Sequence, residues 1–297
     1  MDVTSWRERR RSRRLLRHMD RASGRSGRAR PGVWLTAAAV ALVWFVGSGS
    51  TSTFGPGWTP ADLLGPRALV EVDGRTVAVP RPASSEGRLA PEVPVTTSGE
   101  HAFLHVHDDG SPVGYDPCRP VEYVVRPDRA PRSGQSLIDD AVQVVAEASG
   151  LVLVQVGETD EPPLMDRPLI QPDRYGPGWA PVLIAWSGPD EVSELEGQVA
   201  GVGGSAAVPG ADGSGLWLAA GRVALDAEDL GALLSRNGGY ERARAIVVHE
   251  LAHVLGLDHV DDPDELMHPL TSSRTDLGPG DRQGLALVGQ VGCEGFS

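Results

Sequence analysis

The stretch His249-Glu250-Leu251-Ala252-His253-Val254-Leu255-Gly256-Leu257-Asp258-His259 holds three of the eight histidines of this chain. On a helix, residues four apart lie one above the other, so His249 and His253 share a face. Glycine tolerates the left-handed backbone that ends a helix, so Gly256 predicts a sharp turn that brings His259 back to the other two. Three imidazoles in this arrangement are typical of a zinc site that keeps its fourth position open for water, as catalytic zinc sites do.

Glu250 follows the first histidine and lies about 100° further round the same helix. It does not need to bind the metal, because it can reach a water molecule held there and act as general base. Apolar residues line the other side and predict that this side is buried. They are Ile246, Val247, Leu251, Val254 and Leu255. The same periodicity predicts a helix over residues 240–255.

The pattern is globular from about residue 101 onward. Apolar runs predict strands over 121–125, 151–156, 182–186, 199–208 and 216–225. Apolar spacing predicts further helices over 136–149, with Gly150 as its stop, and over 280–288, while the Pro-rich residues 161–181 predict a loop. This order of elements predicts an α+β fold, in which helices pack on a mixed sheet.

The segment 249–259 resembles the zinc signature of the metzincins. That family places a Met on a tight turn beneath the metal, and Met267 in Glu265-Leu266-Met267-His268-Pro269 matches it. Residues 277–285 resemble the start of the closing C-terminal helix of the matrixin branch. The resemblance covers about residues 115–292 and is tight only over 249–269.

The resemblance implies a zinc endopeptidase with one catalytic zinc, held by His249, His253 and His259. It implies a mostly parallel twisted sheet and a cleft above a small C-terminal subdomain. It also implies an antiparallel edge strand, within 199–225, that pairs with the peptide substrate. Glu250 would be the catalytic base, while Gly256 and Met267 would support the ligands. The specificity pocket would be formed around residues 266–275.

The chain departs from the matrixin pattern in two respects. Matrixins usually carry a propeptide Cys that blocks the zinc, and this chain has no such motif. Matrixins also hold a structural zinc with histidines upstream of the active-site helix, yet residues 108–248 contain no His, so that second site is not expected. Calcium sites are left open, since Asp and Gly are common in the loops.

The chain has two cysteines, Cys118 and Cys293, near the two ends of the resemblance. In an exported protein, one pair at these places predicts a disulfide that ties the first strand to the C-terminus. The alternative is two buried free thiols.

The N-terminal region has the layout of an export signal. Residues 1–32 hold eleven Arg, and residues 33–46 have no charged residue and one polar residue. We expect 33–54 to be a signal anchor that leaves 1–32 in the cytoplasm, or else a cleaved signal peptide. The catalytic domain would then be extracellular, on a single-pass membrane protein or secreted. Residues 55–100 would form a linker or stalk with one small hairpin, and 101–297 the catalytic domain.

Charge argues against nucleic acid as a partner of the folded domain. The net charge of −13 combines +8 over residues 1–32 with −21 over the rest, and an acidic body repels phosphates. The basic N-terminus as a nucleic-acid arm stays open as a separate role. For the domain itself, the alternatives to a peptidase are a catalytically silent zinc-containing binding module at the cell surface and a zinc hydrolase of non-peptide substrates.

Overall fold

The computed structural model describes residues 68–294 with gaps at 73–74, 84 and 271–273. The predicted Arg-rich segment 1–32 and the predicted signal anchor or signal peptide 33–54 lie outside these residues. Within the described ranges, no helix has the length and apolar character needed to cross a bilayer.

The described strands, in chain order, are β1 (Leu69–Val72), β2 (Arg75–Ala78), β3 (Ala102–Phe103), β4 (Val121–Arg126), β5 (Leu153–Glu158), β6 (Val182–Ser187), β7 (Gly201–Pro209), β8 (Leu216–Asp226) and β9 (Leu257–Asp258). The helices are α1 (Gly134–Ser149), α2 (Pro172–Tyr175), α3 (Ala227–Leu234), α4 (Gly239–Leu255) and α5 (Pro279–Gly289), with a 3-10 turn at Ser193–Leu195.

Five strands form the main sheet in the order β5-β4-β6-β8-β7. The pairs β5–β4, β4–β6 and β6–β8 are parallel, and β7 pairs antiparallel with β8 at one edge. Strand β6 is buried at every residue, as expected of an apolar strand in the middle of a sheet that is covered on both faces. The predicted α+β fold, with a mostly parallel sheet and an antiparallel edge strand, is confirmed.

Helices α1 and α4 build the main core on one face of the sheet. Their buried residues, such as Ile138 and Leu251, share one apolar cluster with the inward side chains of β4, β6 and β8. Hydrogen bonds of one buried serine connect β7 to this core. The buried Ser205 of β7 donates its hydroxyl to the carbonyl of Val254 in α4, 2.8 Å away, and lies 2.8 Å from the hydroxyl of Tyr115. Strand β7 is therefore tied to the helix that carries the histidines.

The predicted elements are found within a few residues of their expected ends, and four short ones were not predicted. Helix α2 lies in the stretch predicted as a loop, and β3 and β9 have two residues each. Helix α3 has a clear start signal, because the Asp226 carboxylate accepts the backbone N–H groups of Glu228 and Asp229.

The segment ahead of the domain contacts it at several points. The predicted hairpin is present as β1 and β2, and its Val70 and Val79 are buried with Ala211. Further on, Arg88 donates to the carbonyl of Gly289 at 2.8 Å, at the end of α5. Residues 88–99 of the segment predicted as a linker thus lie along α5 instead of standing clear of the domain.

Cys118 and Cys293 form the predicted disulfide, which ties the loop before β4 to the segment after α5. Nearby, the Arg119 guanidinium pairs with the Asp116 carboxylate and donates to the carbonyl of Glu294 at 3.3 Å. The covalent bond therefore lies among polar contacts that join the same two parts of the chain.

Replacing both cysteines, in Cys118→Ser/Cys293→Ser, should lower the free energy of unfolding by about 2–4 kcal/mol, because the open chain gains entropy when it unfolds. Urea unfolding of the oxidised chain and of this variant measures the difference. Reducing the wild-type protein should give the same loss. Equal stability of all three forms would contradict a stabilising disulfide.

Candidate metal centre

The three predicted histidines meet at one point. Their Nε2 atoms lie 3.0 Å apart for His249 and His259, 3.1 Å for His253 and His249, and 3.1 Å for His253 and His259. Helix α4 supplies the first two from successive turns, and the loop after β9 supplies the third. Among the described residues, this is one of two groups whose ligand atoms are close enough to hold a metal, and the other includes the disulfide.

Hydrogen bonds fix which ring nitrogen faces the centre. His249 Nδ1 lies 2.7 Å from the carbonyl of Leu266, and His253 Nδ1 lies 2.8 Å from the carbonyl of Leu257. A carbonyl oxygen can only accept, so each Nδ1 carries the hydrogen and donates it. The Nε2 atom of both rings is then left with a lone pair that points to the centre.

Burial keeps these two imidazoles neutral. It lowers the pKa of His249 to about 3, with a further lowering from the neighbouring His253. Burial likewise lowers the pKa of His253 to about 4. Both rings are therefore uncharged near neutral pH, which is the form that binds a metal ion.

The residues present fit a zinc ion. Ligands of a tetrahedral zinc at about 2.0–2.1 Å lie roughly 3.3 Å from one another, close to the separations of the three Nε2 atoms. The two Nε2 lone pairs of His249 and His253 point at the same place and repel each other unless a cation lies between them. An all-nitrogen set of three histidines is also a donor set that zinc prefers at catalytic sites.

Gly256 ends α4 in the left-handed conformation, with φ 114°, and its N–H is shared by the carbonyls of Ala252 and His253. A side chain here would be strained by this φ and would meet the carbonyl of Val113 at 3.1 Å. Directly after it, β9 pairs antiparallel with β3. The turn and this short pairing fix the direction of the chain that carries His259, as predicted from the glycine.

Met267 belongs to the main apolar cluster and is 1% exposed. Its carbonyl accepts from Val260 N–H at 3.2 Å, so the Met-containing turn is bonded to the loop just after His259. The buried Asp281 carboxylate accepts from the N–H of Leu266 at 2.6 Å and of Met267 at 3.1 Å. The role of Met267 in supporting the ligands stays a prediction, and the contribution of Asp281 to this turn was not predicted.

Glu250 is 7% exposed and lies where β7 crosses α4. A Cβ atom at Gly201 would lie 2.7 Å from Glu250 Cγ and 3.2 Å from its Oε1. At Gly203 it would collide with the Glu250 carbonyl oxygen. These two glycines let the edge strand lie directly against the helix at the predicted base. The sequence showed them as interruptions of a strand, and a close approach of two backbones is one of the meanings of a strand glycine.

A cleft of about 150 Å³ runs alongside the three histidines and Glu250. One wall is the start of β7 and the residues just before it, and the other is the loop after β9. Five residues of the predicted pocket segment 266–275 line it, namely Leu266, His268, Pro269, Leu270 and Arg274. Residues 271–273 lie outside the described residues. Arg242 lines the same cleft from two turns ahead of His249 on α4.

Comparison with known proteins gives one family. The family model described as Matrixin (Peptidase_M10) matches residues 193–287, about a third of the chain. No curated protein matches the chain at a significant level. The matched residues run from the 3-10 turn before β7 into α5, so they contain the edge strand, the three histidines, Glu250 and Met267. Residues 193–287 of this chain are therefore similar to the matrixins of the metzincin class, a family of zinc metallopeptidases.

Proposed function

We propose that this protein is a zinc-dependent endopeptidase that hydrolyses peptide bonds of extracellular proteins. The observation that carries the proposal is the meeting of three imidazoles, two of them kept neutral by burial, beside one buried carboxylate at the wall of a cleft. The matrixin match supports the same class of chemistry. His249, His253 and His259 would hold one catalytic zinc.

When bound, zinc would supply a water of lowered pKa and polarise the carbonyl of the bond to be cleaved. The chain's own contribution is the Glu250 carboxylate, which would take the proton of that water and pass it to the leaving amine. Its position is set by α4 on one side and by Gly201 and Gly203 on the other. Burial of the carboxylate excludes bulk water from the site of proton transfer.

Strand β7 supports a peptide as the substrate. It is the edge of the sheet and pairs there with β8 alone among the described strands. Its first residues, Gly201 to Gly203, line the cleft. An extended peptide can add to such an edge through main-chain hydrogen bonds, which recognise the backbone whatever the side chains. A hydrolase of small non-peptide substrates would gain nothing from this edge.

The disulfide supports action outside the cytoplasm, because disulfides persist in oxidising compartments. The Arg-rich and apolar segments at 1–54 support export, with the apolar residues retained as a membrane anchor or removed as a signal peptide. We therefore place the catalytic domain on the extracellular side.

The second candidate is a catalytically silent zinc-containing module that binds a partner at the cell surface. It predicts zinc binding without hydrolysis. The presence and burial of Glu250 favour the peptidase, because a silent module has no need for a carboxylate at this position. Cleavage of a protein substrate by the zinc-loaded chain separates the two candidates.

The purified chain should bind one zinc per molecule. Losing a residue that only hydrogen-bonds to a metal ligand weakens metal binding by up to roughly 100-fold. His259→Ala removes a ligand itself, so it should weaken zinc binding by more than that. Competition with a zinc chelator measures the affinity. His268→Ala is the matched control, because this residue lies at the same cleft outside the triad. Equal loss in both variants would argue against the triad as the metal site.

Glu250→Gln should keep zinc affinity and lose about 10²- to 10⁴-fold in kcat/KM on an unstructured protein such as casein, because the amide cannot accept the proton. The exposed Glu241→Gln on the same helix should cleave like wild type. Cleavage by Glu250→Gln at the wild-type rate would exclude this residue as the base. Zinc binding without cleavage by the wild type would support the silent module.

Gly201→Ala should lower kcat about 10- to 100-fold with zinc affinity unchanged, because the added methyl group pushes the Glu250 side chain out of place. Gly178→Ala, where the added methyl group meets open space, should behave as wild type. Steady-state kinetics on one peptide measures both. Wild-type kcat in Gly201→Ala would show that the approach of β7 does not position the base.

A further inference from the structure

We propose that Glu265, together with the segment 93–100 that closes over it, is a positioning group for the histidine centre. This segment is called the strap below. The strap would then be part of the metal-binding domain, and any proteolytic trimming that leaves zinc affinity intact would lie N-terminal to it. The proposal rests on the zinc site proposed above and concerns how that site is held.

Glu265 connects the Met-containing turn to α5 by hydrogen bonds. Glu265 lies two residues before Met267 and is 2% exposed. Its Oε1 accepts from Gly280 N–H at 2.8 Å, and its Oε2 accepts from Asp281 N–H at 3.0 Å. These are N–H groups of the first turn of α5, which have no partner inside the helix. A carboxylate at this end of a helix is also favoured by the helix dipole.

Asp281 makes hydrogen bonds in the opposite direction, from α5 to the turn. The Asp281 carboxylate accepts from Leu266 and Met267 N–H, while its own N–H donates to Glu265. Turn and helix thus exchange carboxylate and backbone partners in both directions. Leu266 then accepts from His249 Nδ1 through its carbonyl at 2.7 Å. A displacement of Glu265 therefore reaches a metal-facing ring through three successive hydrogen bonds, by way of Asp281 and Leu266.

The strap is hydrogen-bonded to α5 and to the residue that follows it. Thr97 donates its hydroxyl to the carbonyl of Pro279 at 2.9 Å, and Gly99 N–H donates to Gln283 Oε1 at 3.1 Å. Gln290 holds the other end through the carbonyl of Val93 at 2.7 Å. These bonds lay the strap across the start of α5 and along its length.

Two glycines show how tightly the strap closes over the bonded carboxylate. A methyl group at Gly99 would collide with Glu265 Oε1 and with the nitrogen of Gly280. One at Gly280 would collide with the backbone of Glu100. Neither glycine has a positive φ, so their small size is needed for space and not for conformation. The strap therefore lies directly against the Glu265 carboxylate and shields its hydrogen bonds from water.

The experiment measures zinc affinity of the full oxidised chain by chelator competition, without substrate. Glu265→Gln and Gly99→Ala should each raise the zinc dissociation constant about tenfold. Mutating a residue that orients a metal ligand typically lowers metal affinity by about 10- to 100-fold. Asp264→Asn, an exposed carboxylate next in the chain, and Gly292→Ala, with open space around it, should bind zinc like wild type.

A role in stability alone would lower the unfolding midpoint and leave the affinity of the folded variants unchanged, and that result would overturn the proposal. Should either variant fail to fold, Gln283→Ala decides, because it removes only the acceptor of Gly99 N–H. We expect a severalfold weaker affinity in it, and wild-type affinity there would exclude the strap. If the wild type binds no zinc, the zinc site itself fails. If it binds zinc but cleaves no protein, the proposed reaction fails and this inference is still decided.

Discussion

The structure depends on the convergence of three imidazole Nε2 atoms on one point. His249 and His253 reach it from one helix face, but His259 reaches it only because the chain reverses at Gly256 and is held by the β3–β9 pairing. Carbonyls behind the first two rings fix their tautomers, and burial keeps them neutral. Each of these contacts lowers the conformational entropy of the chain. Together they give an arrangement of nitrogen atoms that a cation stabilises and water alone does not.

The edge strand of the sheet, β7, lies against the helix that carries two of these histidines. Because β7 runs antiparallel at the border and carries Gly201 and Gly203, it lies against α4 at Glu250. The hydroxyl of Ser205 fixes the same strand to the carbonyl of Val254. One contact between a strand and a helix thus brings together the proposed base, the two histidines of α4 and the edge of the sheet. The core formed by α1, α4 and the sheet holds that contact rigid.

The sequence predicts what is local and misses what joins distant parts of the chain. Spacing within 249–259 predicts the triad, because helical periodicity and one glycine turn decide it. The order of apolar runs predicts the mixed sheet. The bonds of Glu265 and Asp281 with the backbone of the opposite element are not readable, since each residue alone resembles a solvated carboxylate. Helix α3 was missed because eight residues after a strong strand give little periodicity.

The most direct test of the account is zinc K-edge X-ray absorption on the zinc-loaded chain. The account predicts three nitrogen ligands and one water oxygen at about 2.0–2.1 Å, with imidazole scattering in the outer shell and no sulfur. That result would establish a three-histidine zinc with an open position, which is the premise of the proposed hydrolysis. Sulfur ligands, a fourth imidazole, or oxygen ligands alone would contradict it, because the described triad could not then be the centre that the chain is built to hold.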